Sequence, residues 1–207
     1  MPFDTAMATA WITRCADDVR AAESRLTTLD AAIGDGDHGA NLARGLAAAV
    51  SSLADKAPGT PGGVLVAAGR GLVAKTGGAS GPLYGSGLRT AGKALGDDTD
   101  VDTARLGEAL QAMLTGIQEL GGAAEGDKTM IDALAPAVTA FQDAASDGLA
   151  QAARAAAEAA EAGVTATVPM QARKGRASYL GERSIGHEDP GAASTAIILR
   201  ALAEVTA

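Results

Sequence analysis

Helical spacing of apolar residues along most of the chain is the feature that most restricts its fold. Leu106, Leu110 and Ile117 recur on one face of a helix, and Gly121 follows the last turn, where glycine commonly ends a helix. No segment shows the clear alternation of a half-buried strand, and residues 164–170 come nearest. The sequence therefore predicts an all-α fold.

The same pattern indicates about eight helices joined by short loops. They are predicted at 11–26, 42–53, 63–74, 83–95, 106–117, 131–144, 147–162 and 192–205. Aromatic residues make up only 2% of the chain, whereas hydrophobic residues make up 47%, so the core must consist of Ala, Leu, Val and Ile. Short loops make successive helices antiparallel neighbours. We predict one domain over residues 1–207, a length at which a single core can still grow.

Four segments interrupt the helical pattern with glycine and polar residues. They are 30–41, 75–82, 121–129 and 171–191. In an antiparallel bundle alternate loops gather at one end, so we expect these segments to form a single site there. We call residues 171–191 the lid, because long ordered loops often close over a ligand.

Three aspartates in the first of these segments suggest a metal site. Asp30, Asp35 and Asp37 repel one another unless a divalent cation lies between them, and oxygen ligands suit Mg²⁺ or Ca²⁺ better than zinc. An EF-hand is excluded because its twelfth position, counted from Asp35, is Leu46. Helix capping in a solvated acidic turn is the alternative. We favour metal binding because three carboxylates gather beside His38.

Possible phosphate contacts lie in and near the same segments. His38 can donate a hydrogen bond to a phosphate, or it can be held against a neighbouring aspartate for structure alone. Residues 78–80 enter a helix predicted to begin near Pro82, and small residues there expose backbone N–H groups to an anion, although an ordinary loop is the alternative. A Walker A sequence is absent, and the G-x-G-x-x-G at 34–39 lacks a surrounding βαβ unit.

The segment 121–129 allows two interpretations. A flat ligand such as adenine could lie on its glycines with Met130 packed against it. The alternative is a plain turn between helices, capped by Thr129 or Asp127. The residues of this segment alone favour the turn.

The lid holds four of the chain's seventeen basic residues. Arg176 is the preferred phosphate clamp, because the guanidinium fork matches phosphate oxygens. Residues 189–191 form an Asp-Pro-Gly turn that could close on a ligand. The alternative is a surface loop whose arginines pair with Glu182, Glu188 or Asp189.

Charge and cysteine content restrict the partners and the compartment. A net charge of −8 argues against nucleic acid or an anionic membrane as the main partner, because both need a basic surface. The single cysteine, Cys15, permits no intramolecular disulfide and is expected to be a core thiol. No signal peptide and no apolar run of about eighteen residues is seen, so we expect a cytoplasmic protein.

Taken together, these segments resemble the nucleotide-binding L subunit (DhaL) of dihydroxyacetone kinase. The matching stretches are 29–41, 77–83, 126–130 and 170–192. The resemblance implies a barrel of eight antiparallel helices with a nucleotide site at one end. It also implies ADP or ATP and two Mg²⁺ ions as cofactors.

The resemblance further implies a role for each matching residue. Asp30, Asp35 and Asp37 would bind the metal ions, and Asp35, Asp37 and Arg176 would serve phosphoryl transfer. The nucleotide would contact His38, Gly39, Ala40, Asn41, Gly78, Ala79, Ser80, Gly121, Met130, Arg176, Asp189, Pro190 and Gly191.

The implied function is transfer of a phosphoryl group from Mg-nucleotide to dihydroxyacetone held on a separate K subunit. In one branch of the family, a phosphotransferase-system M subunit rephosphorylates the bound ADP, and a free chain of 207 residues favours this branch. The alternatives are a kinase subunit for another small ketose that uses free ATP, and an ADP-bound regulatory subunit that binds a transcription factor.

Overall fold

The computed structural model describes residues 2–207, and over that range the chain forms nine α-helices. They are α1 Thr5–Ala21, α2 Glu23–Ile33, α3 His38–Lys56, α4 Pro61–Lys75, α5 Ser80–Leu95, α6 Thr103–Gly121, α7 Ile131–Asp143, α8 Leu149–Ala166 and α9 Pro190–Val205. Two 3₁₀ segments, Ala145–Asp147 and Arg176–Ser184, precede α8 and α9. The described residues contain no strand beyond an isolated bridge between Phe3 and Val101, so the all-α prediction is confirmed.

Local sequence explains where several helices begin. Asp4, Asp102 and Asp189 each accept a hydrogen bond from the backbone N–H three residues on, at 2.7–2.8 Å. Thr60 caps α4 in the same way and is followed by Pro61, whose missing N–H costs nothing at this position. Asp102 is thus the cap of α6, which begins at Thr103.

The prediction of a single helix over 11–26 was wrong. The chain bends at Ala22, where φ is −92° and ψ is 2°, and α2 leaves in a new direction to pack against α3, α9 and the lid. No glycine or proline marks the bend, so tertiary packing rather than local sequence accounts for it. The break adds a helix to the predicted eight and shortens the predicted loop 30–41 to residues 34–37.

Eight of the helices form a closed ring, with α2 as an additional helix. Each helix from α3 to α9 packs against the next, and α1 packs against both α3 and α9. This closed order agrees with the barrel that the family resemblance implies. The interior is filled mainly by small and aliphatic side chains, as the low aromatic content required.

The loops alternate between two ends of the ring. At one end Phe3 exchanges backbone hydrogen bonds with Val101, at 2.8 and 3.2 Å, and the Thr5 hydroxyl donates to Gly59 O. The loops after α3 and α5 therefore meet the start of α1. The segments that precede α3, α5, α7 and α9 lie at the other end, where they line a common cavity.

Buried side chains tie α1 to α9 across the ring. The Trp11 ring is 1% exposed, and its Nε1–H donates to Ile198 O at 2.9 Å. Cys15 is buried beside it, which confirms the predicted core thiol, and burial raises its pKa well above the usual range. Among the described residues, no helix is long and apolar enough to cross a membrane.

Candidate functional site

A cavity of about 420 Å³ opens at the end of the ring where the glycine-rich segments meet. Its wall combines the turn 34–37, the loop 76–79, the loop 122–130 and the lid with the helix ends beside them. These are the four segments in which glycine and polar residues interrupted the helical pattern. The expectation that they would converge is confirmed.

Three carboxylates form one wall of this cavity. One oxygen each from Asp30, Asp35 and Asp37 lies within 4.8 Å of the other two. Asp30 lies in the last turn of α2 and is 9% exposed, and its Oδ2 accepts the backbone N–H groups of Asp37 and His38 at 2.9 and 3.1 Å. An oxygen-only donor set of this size fits Mg²⁺, which usually keeps water and phosphate among its ligands.

Arg176 of the lid reaches this cluster. Its Nε lies 2.9 Å from Oδ2 of Asp35, and both side chains are partly open to solvent. The alternative in which Arg176 pairs with Glu182, Glu188 or Asp189 is therefore not observed. Glu188 instead contacts Arg25 at 3.0 Å, which attaches the lid to α2.

Four helix N-termini open into the same cavity. Because helices alternate in direction around the ring, α3, α5, α7 and α9 all begin at this end, and their first residues His38, Ser80, Ile131 and Pro190 line the wall. The first N–H groups of α5 have no side-chain cap, whereas at the start of α3 the N–H of His38 donates to Asp30. Helix N-termini carry a partial positive charge and free N–H donors, so this wall favours an anion beside the carboxylates.

A buried polar network fixes His38. Its Nε2 lies 2.9 Å from the Ser194 hydroxyl, which lies 2.8 Å from the Tyr84 hydroxyl. Tyr84 also contacts Thr195 at 2.7 Å, and all three hydroxyls are within 3.0 Å of Gly191 O. His38 is thus held against α9, so the alternative in which an aspartate side chain locks it is not observed.

Burial lowers the pKa of His38, although the charges of Asp30 and Asp37 and the Pro190 carbonyl act in the opposite direction. Burial therefore favours the neutral imidazole. A neutral imidazole can donate one hydrogen bond and accept another, which suits it to orient a phosphate rather than to neutralise one.

Apolar residues form a second part of the cavity wall. They are Leu83, Ile117, Leu120, Gly121, Ala123, Met130 and Ile131. Leu120 is 56% exposed, an unusual value for a leucine in a chain that buries most of its large aliphatic side chains. A flat, apolar group fits this side, and Gly121 and Met130 lie in it as the adenine interpretation expects.

Three residues expected to bind nucleotide do not line the cavity. A Cβ on Gly39 would lie 2.3 Å from Glu23 O, so this glycine allows α2 and α3 to approach closely. Ala40 is exposed, and the buried Asn41 packs beneath Gly77 and accepts from Arg44. Their predicted roles in nucleotide binding stay predictions.

The remaining expected residues lie at the cavity. Gly78, Ala79 and Ser80 line it where α5 begins, and Gly78 has a φ of +66° that a side chain would strain. Asp189 to Gly191 line it where α9 begins, with Asp189 serving as the helix cap.

Asp189 has an unusual environment for a carboxyl group. Burial raises its pKa to about 7, although the N–H of Ala192 and the charge of Lys128 act in the opposite direction. A capping carboxyl that is half protonated near neutral pH makes the start of α9 sensitive to pH.

Two basic residues of the wall were not singled out from the sequence. Lys174 lines the cavity, and its Nζ lies 3.7 Å from where a Cβ on Gly122 would be. Lys128 also lines the wall, but its side chain is only 1% exposed. The basic content of the lid could have indicated that Lys174 lines the cavity, whereas no local sequence pattern indicates that Lys128 is buried.

Comparisons with known proteins agree with this geometry. The DAK2 domain model matches residues 32–204. The ADP-binding subunit DhaL of PEP-dependent dihydroxyacetone kinase 1 from Listeria innocua is 41% identical over 203 residues, which cover 98% of this chain and 97% of that protein. The L-erythrulose 1-kinase of Mycolicibacterium smegmatis is 41% identical over 197 residues, which cover 92% of this chain but 33% of that enzyme.

A solved structure has the same fold. It is the dihydroxyacetone kinase of C. freundii in complex with AMP-PNP and Mg²⁺, with a TM-score of 0.73 and 30% sequence identity. The match covers 99% of this chain and 34% of that one, so the present chain spans about a third of the larger kinase.

Proposed function

The chain belongs to the DAK2 domain family, and from that premise we propose that it is the ADP/ATP-binding subunit of a dihydroxyacetone kinase. Residues 1–207 would act as one nucleotide-binding unit. The unit would present a phosphoryl group to dihydroxyacetone held on a separate K subunit. A cytoplasmic location is part of the proposal, because nucleotide and Mg²⁺ are available there.

One observation carries the proposal. Three carboxylates with oxygens within 4.8 Å of one another face a cavity that also receives four helix N-termini. A negative wall and a positive wall in the same cavity suit a divalent cation bound between carboxylates and phosphates. The apolar side beside Met130 is suited to the base of the same ligand.

Each wall has a distinct part in the proposed chemistry. Asp30, Asp35 and Asp37 would hold two Mg²⁺ ions, which neutralise charge on a transferring phosphoryl group. Arg176 would move from Asp35 to phosphate oxygens and add a second neutralising contact. Phosphoryl transfer depends mainly on positioning and electrostatics, so no nucleophile is required from this chain.

Further residues would orient the nucleotide. Neutral His38 and the first N–H groups of α5, next to Ala79 and Ser80, would fix phosphate oxygens. Gly121 and Met130 would receive the adenine ring. The turn Asp189 to Gly191 would close the remaining side beneath the lid.

Two versions of the proposal differ in the phosphoryl donor. We favour in-place rephosphorylation of ADP by a phosphotransferase-system M subunit, because the DhaL relative is named as an ADP-binding subunit of a PEP-dependent kinase and matches over nearly its full length. A second candidate is a subunit that uses free ATP to phosphorylate another small ketose. The similarity to an L-erythrulose 1-kinase supports this candidate.

The deciding experiment measures bound nucleotide. Protein purified without added nucleotide is denatured, and the released ADP is quantified by absorbance and mass spectrometry. Mg²⁺-dependent binding of ADP and ATP is then measured by calorimetry for the wild type, for Asp37→Asn and for the control Asp97→Asn, which changes an exposed charge between α5 and α6. Stoichiometric retained ADP supports the M-subunit branch.

The other outcomes separate the branches. Empty protein that binds ATP only with Mg²⁺ favours direct use of ATP. Asp37→Asn should lose Mg²⁺-dependent binding while Asp97→Asn keeps it. Wild-type protein with no Mg²⁺-dependent binding of either nucleotide contradicts the proposal.

A further inference from the structure

Among the residues that the structure describes, Lys128 is the only lysine with a buried side chain. Its Nζ donates hydrogen bonds to Thr167 O and His187 O, each at 2.5 Å. Burial lowers the pKa of this ammonium, whereas the charges of Asp189 and Asp132 raise it. Lys128 is thus a buried donor with two carbonyl partners and two acidic neighbours.

The two carbonyls belong to two short segments at the base of the lid, which we call its feet. They are residues 167–168, just before the lid begins, and residues 186–189, near its end. The chain leaves α8 through the first foot and enters α9 through the second. The feet are joined directly by two bonds, from Gly186 N to Val168 O at 2.8 Å and from Asp189 N to Thr167 Oγ1 at 2.9 Å. Lys128 also bonds to both feet, through Thr167 O and His187 O.

The loop that carries Lys128 also forms the apolar side of the cavity. Asp127 O accepts from Arg173 N of the lid at 3.0 Å. The backbone N of Met130 lies 3.3 Å from where a Cβ on Gly191 would be, so the loop also touches the start of α9. The residues around Lys128 therefore connect the adenine side of the cavity to both ends of the lid.

Stability alone does not explain a lysine here. A buried ammonium is unfavourable unless it is fully bonded, and replacing buried charges by apolar groups often leaves stability unchanged. Lys128 also has a left-handed backbone, with a φ of 61°, which a residue other than glycine seldom adopts. Two unfavourable features coincide at the residue that joins the lid to the cavity wall, and such coincidences favour a functional interpretation.

We propose that Lys128 is a positioning residue that fixes both feet of the lid and thereby sets how long a nucleotide stays in the cavity. The identity of the ligand rests on the proposed function, whereas the attachment of the lid does not. Lys128 acts through the lid, because both hydrogen bonds of its Nζ go to the feet.

The test compares Lys128→Met with a variant that weakens the core elsewhere. Leu106→Ala removes a fully buried side chain in the first turn of α6, at the opposite end of the ring. Dissociation of a fluorescent ADP analogue in Mg²⁺ is followed by stopped flow after addition of excess ADP. Hydrogen exchange of residues 171–186 is measured separately in nucleotide-free protein.

We expect Lys128→Met to raise the dissociation rate by roughly tenfold, because a change of this kind acts mainly on the off-rate. Exchange in the lid should rise, while exchange in α3 to α5 stays as in the wild type. Leu106→Ala should lower the thermal midpoint yet leave the dissociation rate within about twofold. Lys128→Arg, which keeps a cation, should restore part of the wild-type residence time.

Other results overturn the inference. One such result is a Lys128→Met variant whose nucleotide dissociation rate and lid exchange both equal those of the wild type. Another is a Leu106→Ala variant whose dissociation rate rises as much as that of Lys128→Met. If wild-type protein binds no nucleotide, the proposed function fails, and lid exchange in nucleotide-free protein still decides whether Lys128 holds the feet. If Lys128→Met does not fold, Lys128→Gln replaces the ammonium by a shorter, uncharged donor, and unchanged lid exchange in that variant contradicts the attachment.

Discussion

At the scale of single residues, the three clustered aspartates differ in what they do for the fold. The Asp30 carboxylate accepts two backbone N–H groups of the turn that follows it, whereas Asp35 pairs only with the partly exposed Arg176. A carboxylate that organises a turn contributes to stability even without metal. An exposed ion pair contributes little.

This difference predicts separate phenotypes for two substitutions. Asp30→Ala should lower the free energy of unfolding by about 2 kcal/mol, because hydrogen bonds to a charged group are the stronger kind. Asp35→Asn should change it by less than about 1 kcal/mol. Both should lose Mg²⁺-dependent nucleotide binding.

Urea unfolding in EDTA and calorimetry with Mg²⁺-ADP measure the two effects. Equal losses of stability would contradict the assignment of a structural role to Asp30 alone. Retained nucleotide binding in both variants would contradict the metal site.

At the scale of secondary-structure elements, the cap of α9 predicts a pH dependence. The pKa of Asp189 is raised from 3.8 to about 7 in the folded protein. A raised pKa means that its contribution to stability is complete below pH 4 and is lost as the pH rises through 7. Asp189→Asn keeps a capping oxygen but cannot ionise.

The variant should therefore gain stability relative to the wild type between pH 4 and 7, by about 1.4 kcal/mol for each unit of pKa shift. Above pH 7 the difference should level off. Urea unfolding of nucleotide-free protein at pH 4.5, 6 and 8 measures it. If the free energies of unfolding of the two proteins differ by the same amount at all three pH values, the raised pKa of Asp189 is contradicted.

Close packing of α4 against α5 predicts that alanine is more destabilising at Gly92, which lies in this contact, than at Gly107 in α6. A Cβ on Gly92 would lie 2.5 Å from Gly62 O, so Gly92→Ala must push the two helices apart. Overpacking of this kind usually costs about 1–3 kcal/mol. A Cβ on Gly107 would meet the Gln142 side chain at 3.3 Å and the Phe141 ring at 3.4 Å, with no backbone atom in the way, so Gly107→Ala should be neutral or stabilising by up to about 1 kcal/mol.

Thermal unfolding of both variants gives the comparison. Both sites lie in helices away from the cavity wall, so nucleotide binding serves as the shared control. Similar stability changes in the two variants would contradict the inference that a Cβ at Gly92 has to push α4 and α5 apart.

At the scale of the whole molecule, the closed ring predicts cooperative unfolding. Trp11 is the only tryptophan, and it is buried between α1 and α9, where the ring closes, with the Phe3 ring 6.1 Å away. Its fluorescence therefore reports on ring closure, whereas circular dichroism reports on all helices. Both signals should follow one urea transition.

Ligand binding should shift that transition. Mg²⁺-ADP at a hundred times its Kd should add about 2.7 kcal/mol to the free energy of unfolding, because only the folded state binds it. Loss of the Trp11 signal before the helical signal would contradict a single cooperative unit.

The sequence by itself determined much of the local structure. Apolar spacing located eight helical segments, and Gly121 marked the end of α6. The grouping of three aspartates within eight residues brought their carboxylates together whatever the tertiary fold. These features depend on interactions within a few residues, so periodicity and turn chemistry are sufficient to predict them.

Only the tertiary structure decided how distant segments meet. The pairing of Arg176 with Asp35 and the burial of Lys128 between the lid feet join residues far apart in the chain. The bend at Ala22 lets α2 pack against distant elements. The turn-like interpretation of 121–129 was favoured from its residues, yet packing made the loop a cavity wall. Closure of the ring fixes which helix ends share one side, and that arrangement, rather than any local pattern, brings four helix N-termini to the same cavity as the carboxylates.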